Sequence, residues 1–251
     1  FSMTIFELSL LASASFIAGI INSIAGGGSF LTFPALVFTG VPTIAANATS
    51  AVAVFPGYLS GALGFAKELK EYPKSKFLLL ITLSIMGGIG GSLLLLITPA
   101  SVFSYIIPWL LGFATLLFAF GDFVAKWAKK NSNSNGFLGN LTTLIVCIYG
   151  GYFNGGLGII LLALFSTLGM RDIHLMNGLK NIMSFALSAA SVVTFAIAGI
   201  VFWQQAIIMM IAATIGGYFG VVVARKLSKN TIRMIIVIIG LIMTVIFGIK
   251  A

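Results

Sequence analysis

The chain has 251 residues, 59% of them hydrophobic and only 8% charged, with a mean hydropathy of +1.14. Soluble domains carry roughly 25% charged residues, so this balance excludes an ordinary water-soluble fold and points to an integral membrane protein. The net charge of +9 falls in short clusters between apolar runs, where membrane topology accounts for it without a nucleic-acid partner.

The first apolar stretch contains "GIINSIAGGGSFLTFPAL", with three consecutive glycines, Gly26 to Gly28, inside a segment fit for lipid. It has no basic leader and no small-residue cleavage site, so it does not read as a cleaved signal. Apolar runs follow at 45–66, 77–97 and 101–121, then at 175–200, 203–224 and 231–249. Each approaches or exceeds the ~20 residues that a helix needs to cross ~30 Å of hydrocarbon. Between the two sets lie the polar linker "AKWAKKNSNSNG" and a second glycine-broken segment, "NGGLGIILLAL". The single Cys147 sits in an apolar run, where a buried packing role is expected and an internal disulfide is impossible.

Sliding the chain along itself until Gly26-Gly27 fall on Gly155-Gly156 also places Gly40 on Gly169 and Gly87-Gly88 on Gly216-Gly217. One further step of the slide places "NATS" (Asn47 to Ser50) on "NGLK" (Asn177 to Lys180). The expected organisation is therefore a first repeat over 1–121, a cytoplasmic polar linker over 122–136 and a second repeat over 137–251. The arms after the glycines, Ser29 to Thr39 and Gly158 to Leu168, have 11 residues each, about 16 Å as helix and enough to reach only mid-membrane. Each broken segment is read as a re-entrant hairpin followed by three transmembrane helices. With three crossings per half, the basic residues of the 67–76 loop, the linker, Arg171 and the 225–233 stretch share one side, and only Lys250 lies opposite. The positive-inside rule makes that side cytoplasmic and both termini external. An odd number of crossings per half also inverts the second copy. The expected fold is an all-α polytopic membrane protein of two inverted repeats.

Broken helices at matching positions of inverted halves point to a transporter's midplane site, and helix N-termini favour anions. The candidate substrate-binding residues at the tips are Asn22, Gly26, Gly27, Gly28 and Ser29, with Asn154, Gly155, Gly156 and Gly158. Polar residues in or at the start of apolar segments add Asn47, Thr49, Ser50, Asn177, Lys180 and Asn181. For the Asn and Ser side chains, interhelical hydrogen bonding competes with ligand contact. For Lys180, snorkelling to the interface competes with a place facing the central cavity. The patterns Gly57–Gly61, Gly87–Gly91 and Gly216–Gly220 read as close helix packing.

The segments "AGGGSFLTFPAL" and "AANATSAVAVFPG", with a weaker second pair in "NGGLGIILLAL" and "MNGLKN", resemble the TauE/SafE sulfite exporters over essentially the whole chain. The second copy departs from the first at Ala163, where the first has Pro34, and at Leu179-Lys180, where it has Thr49-Ser50. The resemblance implies a secondary transporter that exports small anions such as sulfite, sulfonates or related organosulfur compounds across a bacterial or archaeal plasma membrane. A passive anion channel of the same architecture is the alternative. No H-E-x-x-H or G-x-S-x-G motif occurs, and the only histidine, His174, falls in a loop expected to be cytoplasmic. Neither an enzyme, a metal nor a cofactor is expected, and the implied partners are a small anion and the lipid bilayer.

Overall fold

The computed structural model describes residues 3–24, 28–130, 136–224 and 229–250, so Gly26 and Gly27 lie outside the described residues. Every regular element among them is helical. In order they are α1 (Ile5–Ile24), α2 (Ser29–Phe38), α3 (Thr43–Leu63), α4 (Ala66–Glu71), α5 (Lys74–Ile97), α6 (Ala100–Ala119), α7 (Gly121–Lys130), α8 (Gly136–Phe153), α9 (Leu157–Thr167), α10 (Ile173–Ile197), α11 (Trp203–Ala224) and α12 (Lys229–Lys250).

The ends of these helices follow from local chemistry. α3, α5 and α6 each begin directly after a proline, Pro42, Pro73 and Pro99, with φ between −54° and −58°, a helix-ready angle at a place where the missing N–H is not needed. Asp172 opens α10 by accepting from the backbone N–H groups of His174 and Leu175 at 2.9 and 3.3 Å. α2 and α9 end on Gly40 and Gly169, with φ of 85° and 83°, a left-handed conformation that glycine adopts without Cβ strain. The closing hydrogen bonds match residue for residue. Gly40 N donates to Val37 O and Val41 N to Leu36 O, while Gly169 N donates to Ser166 O and Met170 N to Phe165 O.

Five described helical stretches are long and apolar enough to cross a membrane: Ile5–Asn22, Lys74–Ile97, Ala100–Ala119, Gly136–Phe153 and Ile173–Ile197. The protein is a multi-pass membrane protein. Its packing has the polarity that lipid selects: α5 buries Ser84, Gly87, Gly88, Gly91 and Ser92 and exposes Ile85, Met86, Ile89 and Leu93. α3 also spans 21 residues, but its polar Thr43, Asn47, Thr49 and Ser50 dilute its apolar character. From Ala45 to Val54 it is wholly buried among other helices.

α1 and α2 return to the same end of the molecule, since Met3, Glu7 and Leu11 share a small 290 Å³ cavity with Thr39, Gly40, Val41 and Pro42. α8 and α9 do likewise, with the Leu168 side chain lying over Gly139. Neighbouring helices pair across the halves: α1 packs on α11 and α8 on α5, while α3 packs on α10 and α6 on α12. Exchanging each helix for its counterpart in the other half maps this list onto itself. Phe55 and Phe185, which hold corresponding places in α3 and α10, stack directly on each other with centroids 5.1 Å apart and planes 13° from parallel. Glycines let the tightest pairs approach. Gly91 faces the Ile148 carbonyl and Gly216 the Phe16 carbonyl, positions where any Cβ would collide with backbone. At the molecule's centre Phe33 of α2 lies between Phe153, 5.9 Å away at the end of α8, and Phe247, 5.6 Å away on α12.

Two short helices add to the expected elements. α4 and α7 fall where the sequence reads as loop and linker, because helices of 6 and 10 residues are too short to show several turns of periodicity. α7 buries Ala128, rests on α9, and joins α12 through the ion pair between Asp122 and Arg233.

Candidate functional site

The buried "NATS" segment of α3 is tied to three other elements. Asn47 Nδ2 donates to Tyr152 O at 2.8 Å, reaching the end of α8. Thr49 Oγ1 accepts from the Phe202 N–H at 3.1 Å, just before α11. Ser50 Oγ lies 2.6 Å from Thr32 Oγ1, and Thr32 in turn donates to Gly28 O at 3.3 Å. All three side chains are less than a tenth exposed, where an orphaned polar group costs about 1–3 kcal/mol. The geometry makes them ties that hold the first hairpin's returning arm against α3.

The second hairpin is fixed at its tip. Asn154 Oδ1 accepts from the Tyr58 hydroxyl of α3 at 3.1 Å, and its Nδ2 donates to Ser188 Oγ of α10 at 3.2 Å. The Tyr149 hydroxyl donates to Gly155 O. Gly156 then turns the chain with φ of 71°, and a Cβ there would come within 3.2 Å of Ala114 on α6. Gly158 lies in the first turn of α9. In the first hairpin, a Cβ on Gly28 would lie 3.0 Å from the Ala18 carbonyl of α1, and Ser29 begins α2.

Between α1, α3, α10 and α11 lies a cavity of about 520 Å³ that runs to Gly64 and Phe65 at the end of α3. Two of the sequence-predicted residues line it, Asn22 of α1 and Asn181 of α10. They flank a glycine floor, since the nearest atom to a Cβ on Gly57 would be Asn22 Nδ2 at 3.7 Å, and to one on Gly61 would be Asn181 Nδ2 at 2.8 Å. Among the described residues neither carboxamide has a hydrogen-bond partner, so each presents two N–H donors and a carbonyl to the cavity. Tyr58, Ser60, Thr214 and Tyr218 add hydroxyl oxygens, those of the first three donating to Asn154 Oδ1, Gly57 O and Met210 O, and none of the described lining residues is charged. Tyr58 also links this wall to the second hairpin tip through Asn154.

Lys180 is held elsewhere. Its ammonium donates to Asn177 Oδ1 at 3.2 Å, and Asn177 Nδ2 donates back to Ile173 O at 2.9 Å. Lys180 precedes Asn181, so on a helix it points about 100° away from that residue. Neither Lys180 nor Asn177 is among the cavity's lining residues. Gly57 and Gly61, read from sequence as packing glycines, form the cavity floor instead, and Tyr58, Thr214 and Tyr218 were not anticipated. Gly57 does lie inside "AANATSAVAVFPG", so the motif carried a signal for it.

Among known proteins, the family model described as "Sulfite exporter TauE/SafE" matches residues 11–247. A "Probable membrane transporter protein" of Haemophilus influenzae is 29% identical over 238 residues, covering 94% of this chain and 92% of that protein. "Probable membrane transporter protein ORF9" of a Sinorhizobium species is 27% identical, covering 95% of this chain and 91% of its own. "Probable membrane transporter protein YfcA" of Escherichia coli K12 is 25% identical, covering 94% and 88%. No solved structure matches the chain. With that match running from within α1 to within α12, the chain belongs to the sulfite exporter TauE/SafE family.

Proposed function

We propose that the protein is a secondary transporter of small anions such as sulfite, sulfonates or related organosulfur compounds, and that it works as an exporter. The carrying observation is the cavity, with no charge among its described lining residues, in which Asn22 and Asn181 present carboxamides that have no hydrogen-bond partner among the described residues, on either side of the Gly57–Gly61 backbone. Hydrogen bonds from neutral donors to an ionised acceptor are stronger than neutral pairs. With no carboxylate among the described lining residues to repel an anion, the N–H groups of the two carboxamides hold it. They bind it without the fixed counter-charge that would hinder its release.

The two halves are proposed to be inverted repeats, each a re-entrant hairpin followed by three membrane-crossing helices. The matched caps at Gly40 and Gly169, the exchange symmetry of the helix pairs and the Phe55–Phe185 stack support this reading. The end carrying Lys67, Lys70, Lys74 and Lys76 is proposed to face the cytoplasm and both termini the outside. The Phe65–His174 ring pair brings the start of α10, next to Arg171, to the same end. An inside-negative potential drives a bound anion outward by ~2.3 kcal/mol per charge per 100 mV, so export proceeds downhill without a coupling acid in the cavity.

Thermal unfolding of the purified protein with sulfite, methanesulfonate, thiosulfate and acetate tests the reading. A ligand at a hundred times its dissociation constant stabilises by about 2.7 kcal/mol, so a clear rise in the midpoint is expected with at least one sulfur oxyanion and a smaller one with acetate. Identical midpoints with all four anions and with chloride would remove the proposal.

A further inference from the structure

We propose that Ser191 is a latch that holds shut the transport path's second mouth, between α5 and α10, and so sets the resting conformation open at the α4 end. This rests on the transporter reading and on the inverted-repeat relation, and it concerns a place where the matching seams of the two halves pack differently.

The matching seam is between α3 and α11, and at Gly57 and Gly217 it is open. A Cβ on Gly217 would find its nearest atom, the Gly19 carbonyl oxygen, at 3.8 Å, and one on Gly57 would find Asn22 Nδ2 at 3.7 Å. Both residues line the 520 Å³ cavity. In the repeat alignment the counterpart of Gly217 is Gly88 of α5, and the counterpart of Gly57 is Leu187 of α10. There the seam is closed. A Cβ on Gly88 would collide with the Leu187 carbonyl, and its other nearest atoms are also Leu187 backbone.

One side chain joins the two closed helices. Ser191 Oγ lies 3.1 Å from Gly88 O and 2.9 Å from Leu187 O, and Ser191 is only 2% exposed. Its counterpart in α3 is Gly61, which has no hydroxyl to offer across the open seam. Sequence thus breaks the symmetry: one seam carries a donor that stitches it to the facing helix, and the other carries glycine. Alternating access in inverted-repeat carriers exchanges the conformations of the two halves. Here the exchanged state would close Gly61 onto α11 and open α5 away from α10.

The reporters are single cysteines in a Cys147→Ala background, probed with a membrane-impermeant maleimide in intact spheroplasts and in inverted vesicles. Gly57→Cys reports the open cavity. Ser84→Cys reports the opposite mouth, because Ser84 is buried on α5 at the counterpart of cavity-lining Ala213. The Gly57→Cys thiol is expected to react from the α4 face, and the Ser84→Cys thiol only slowly, from the other face. Adding Ser191→Ala raises the minor state, and with it the labelling rate of Ser84→Cys, about threefold, the lower end of what a hydrogen bond carries, because the hydroxyl keeps Leu187 O on its own helix as an acceptor in either state. The rate for Gly57→Cys falls by less, because the majority state loses only a fraction of its population. Ser191→Thr keeps the hydroxyl and leaves both rates at the parental level. A Ser84→Cys rate that stays within twofold of the parent when Ser191→Ala is added, or Ser191→Thr behaving like Ser191→Ala, overturns the latch. Labelling needs no anion, so a negative result here leaves the anion-stabilisation outcome standing, and the converse also holds.

Discussion

α3 and α10 correspond in the repeat alignment, yet they spend their polar residues differently. α3 directs Asn47, Thr49 and Ser50 into hydrogen bonds with α8, the start of α11 and α2. At the matching turns α10 turns Asn177 and Lys180 onto each other and its own backbone, and the next residue, Asn181, faces the cavity with no hydrogen-bond partner among the described residues. Segments that the sequence alignment sets against each other thus do different work, one tying α2 and α8 to α3 and the other leaving Asn181 at the cavity wall. A polar residue in a membrane helix therefore identifies itself by what it lacks: Asn22 and Asn181 stand out because no group among the described residues answers them.

The largest effect expected from this division is on binding. Asn22→Leu and Asn181→Leu each remove donors worth about 1.5–3 kcal/mol toward a charged acceptor, so anion affinity should fall about 10- to 100-fold in titration calorimetry. Unchanged affinity in both variants would place the anion elsewhere. A second contrast concerns glycines of the same small-xxx-small type. Gly91→Ala drives a Cβ into the Ile148 carbonyl and should destabilise by about 1–3 kcal/mol. Gly57→Ala, with its nearest neighbour at 3.7 Å, should cost nothing and gain some helix propensity. Comparing their unfolding midpoints in detergent checks this, and equal losses would put Gly57 in the packing seam.

The ties of α3 should appear as stability alone. Thr32→Val orphans the Ser50 hydroxyl and is expected to cost about 1–2 kcal/mol, while the pair Thr32→Val with Ser50→Ala recovers part of it because no buried donor is left unanswered. Additive losses would show that the two hydroxyls do not depend on each other. The smallest effect belongs to Lys180. It lies outside the cavity lining with its ammonium on Asn177, so Lys180→Gln should leave anion affinity within about threefold, as expected of a charge not in contact with ligand. A tenfold loss would bring Lys180 into the site.

The long elements were legible because their signals are strong and local. The apolar runs from 45–66 to 231–249 correspond to α3, α5, α6, α10, α11 and α12, and the glycine-broken stretches to the α1–α2 and α8–α9 pairs. The cavity was only half legible. Polar residues in apolar context could be picked out, but whether Asn47 meets a carbonyl and Asn22 meets open space depends on which helix arrives opposite, and that is a property of the packed whole. Gly57–Gly61 shows the same ambiguity. Its spacing is that of Gly87–Gly91, yet α8 closes on Gly87 and Gly91 while nothing closes on Gly57. Lys180 drew attention by its charge, and a neighbour one helical turn away, Asn177, absorbs it.

The central claim is that a neutral, amide-lined cavity carries the anion, and flux through reconstituted protein tests it most directly. Uptake of radiolabelled sulfite into proteoliposomes should saturate with concentration, respond to an imposed membrane potential, and fall to the protein-free background when Asn22→Leu and Asn181→Leu are combined. Sulfite flux that persists at the parental rate in the combined variant would contradict the account.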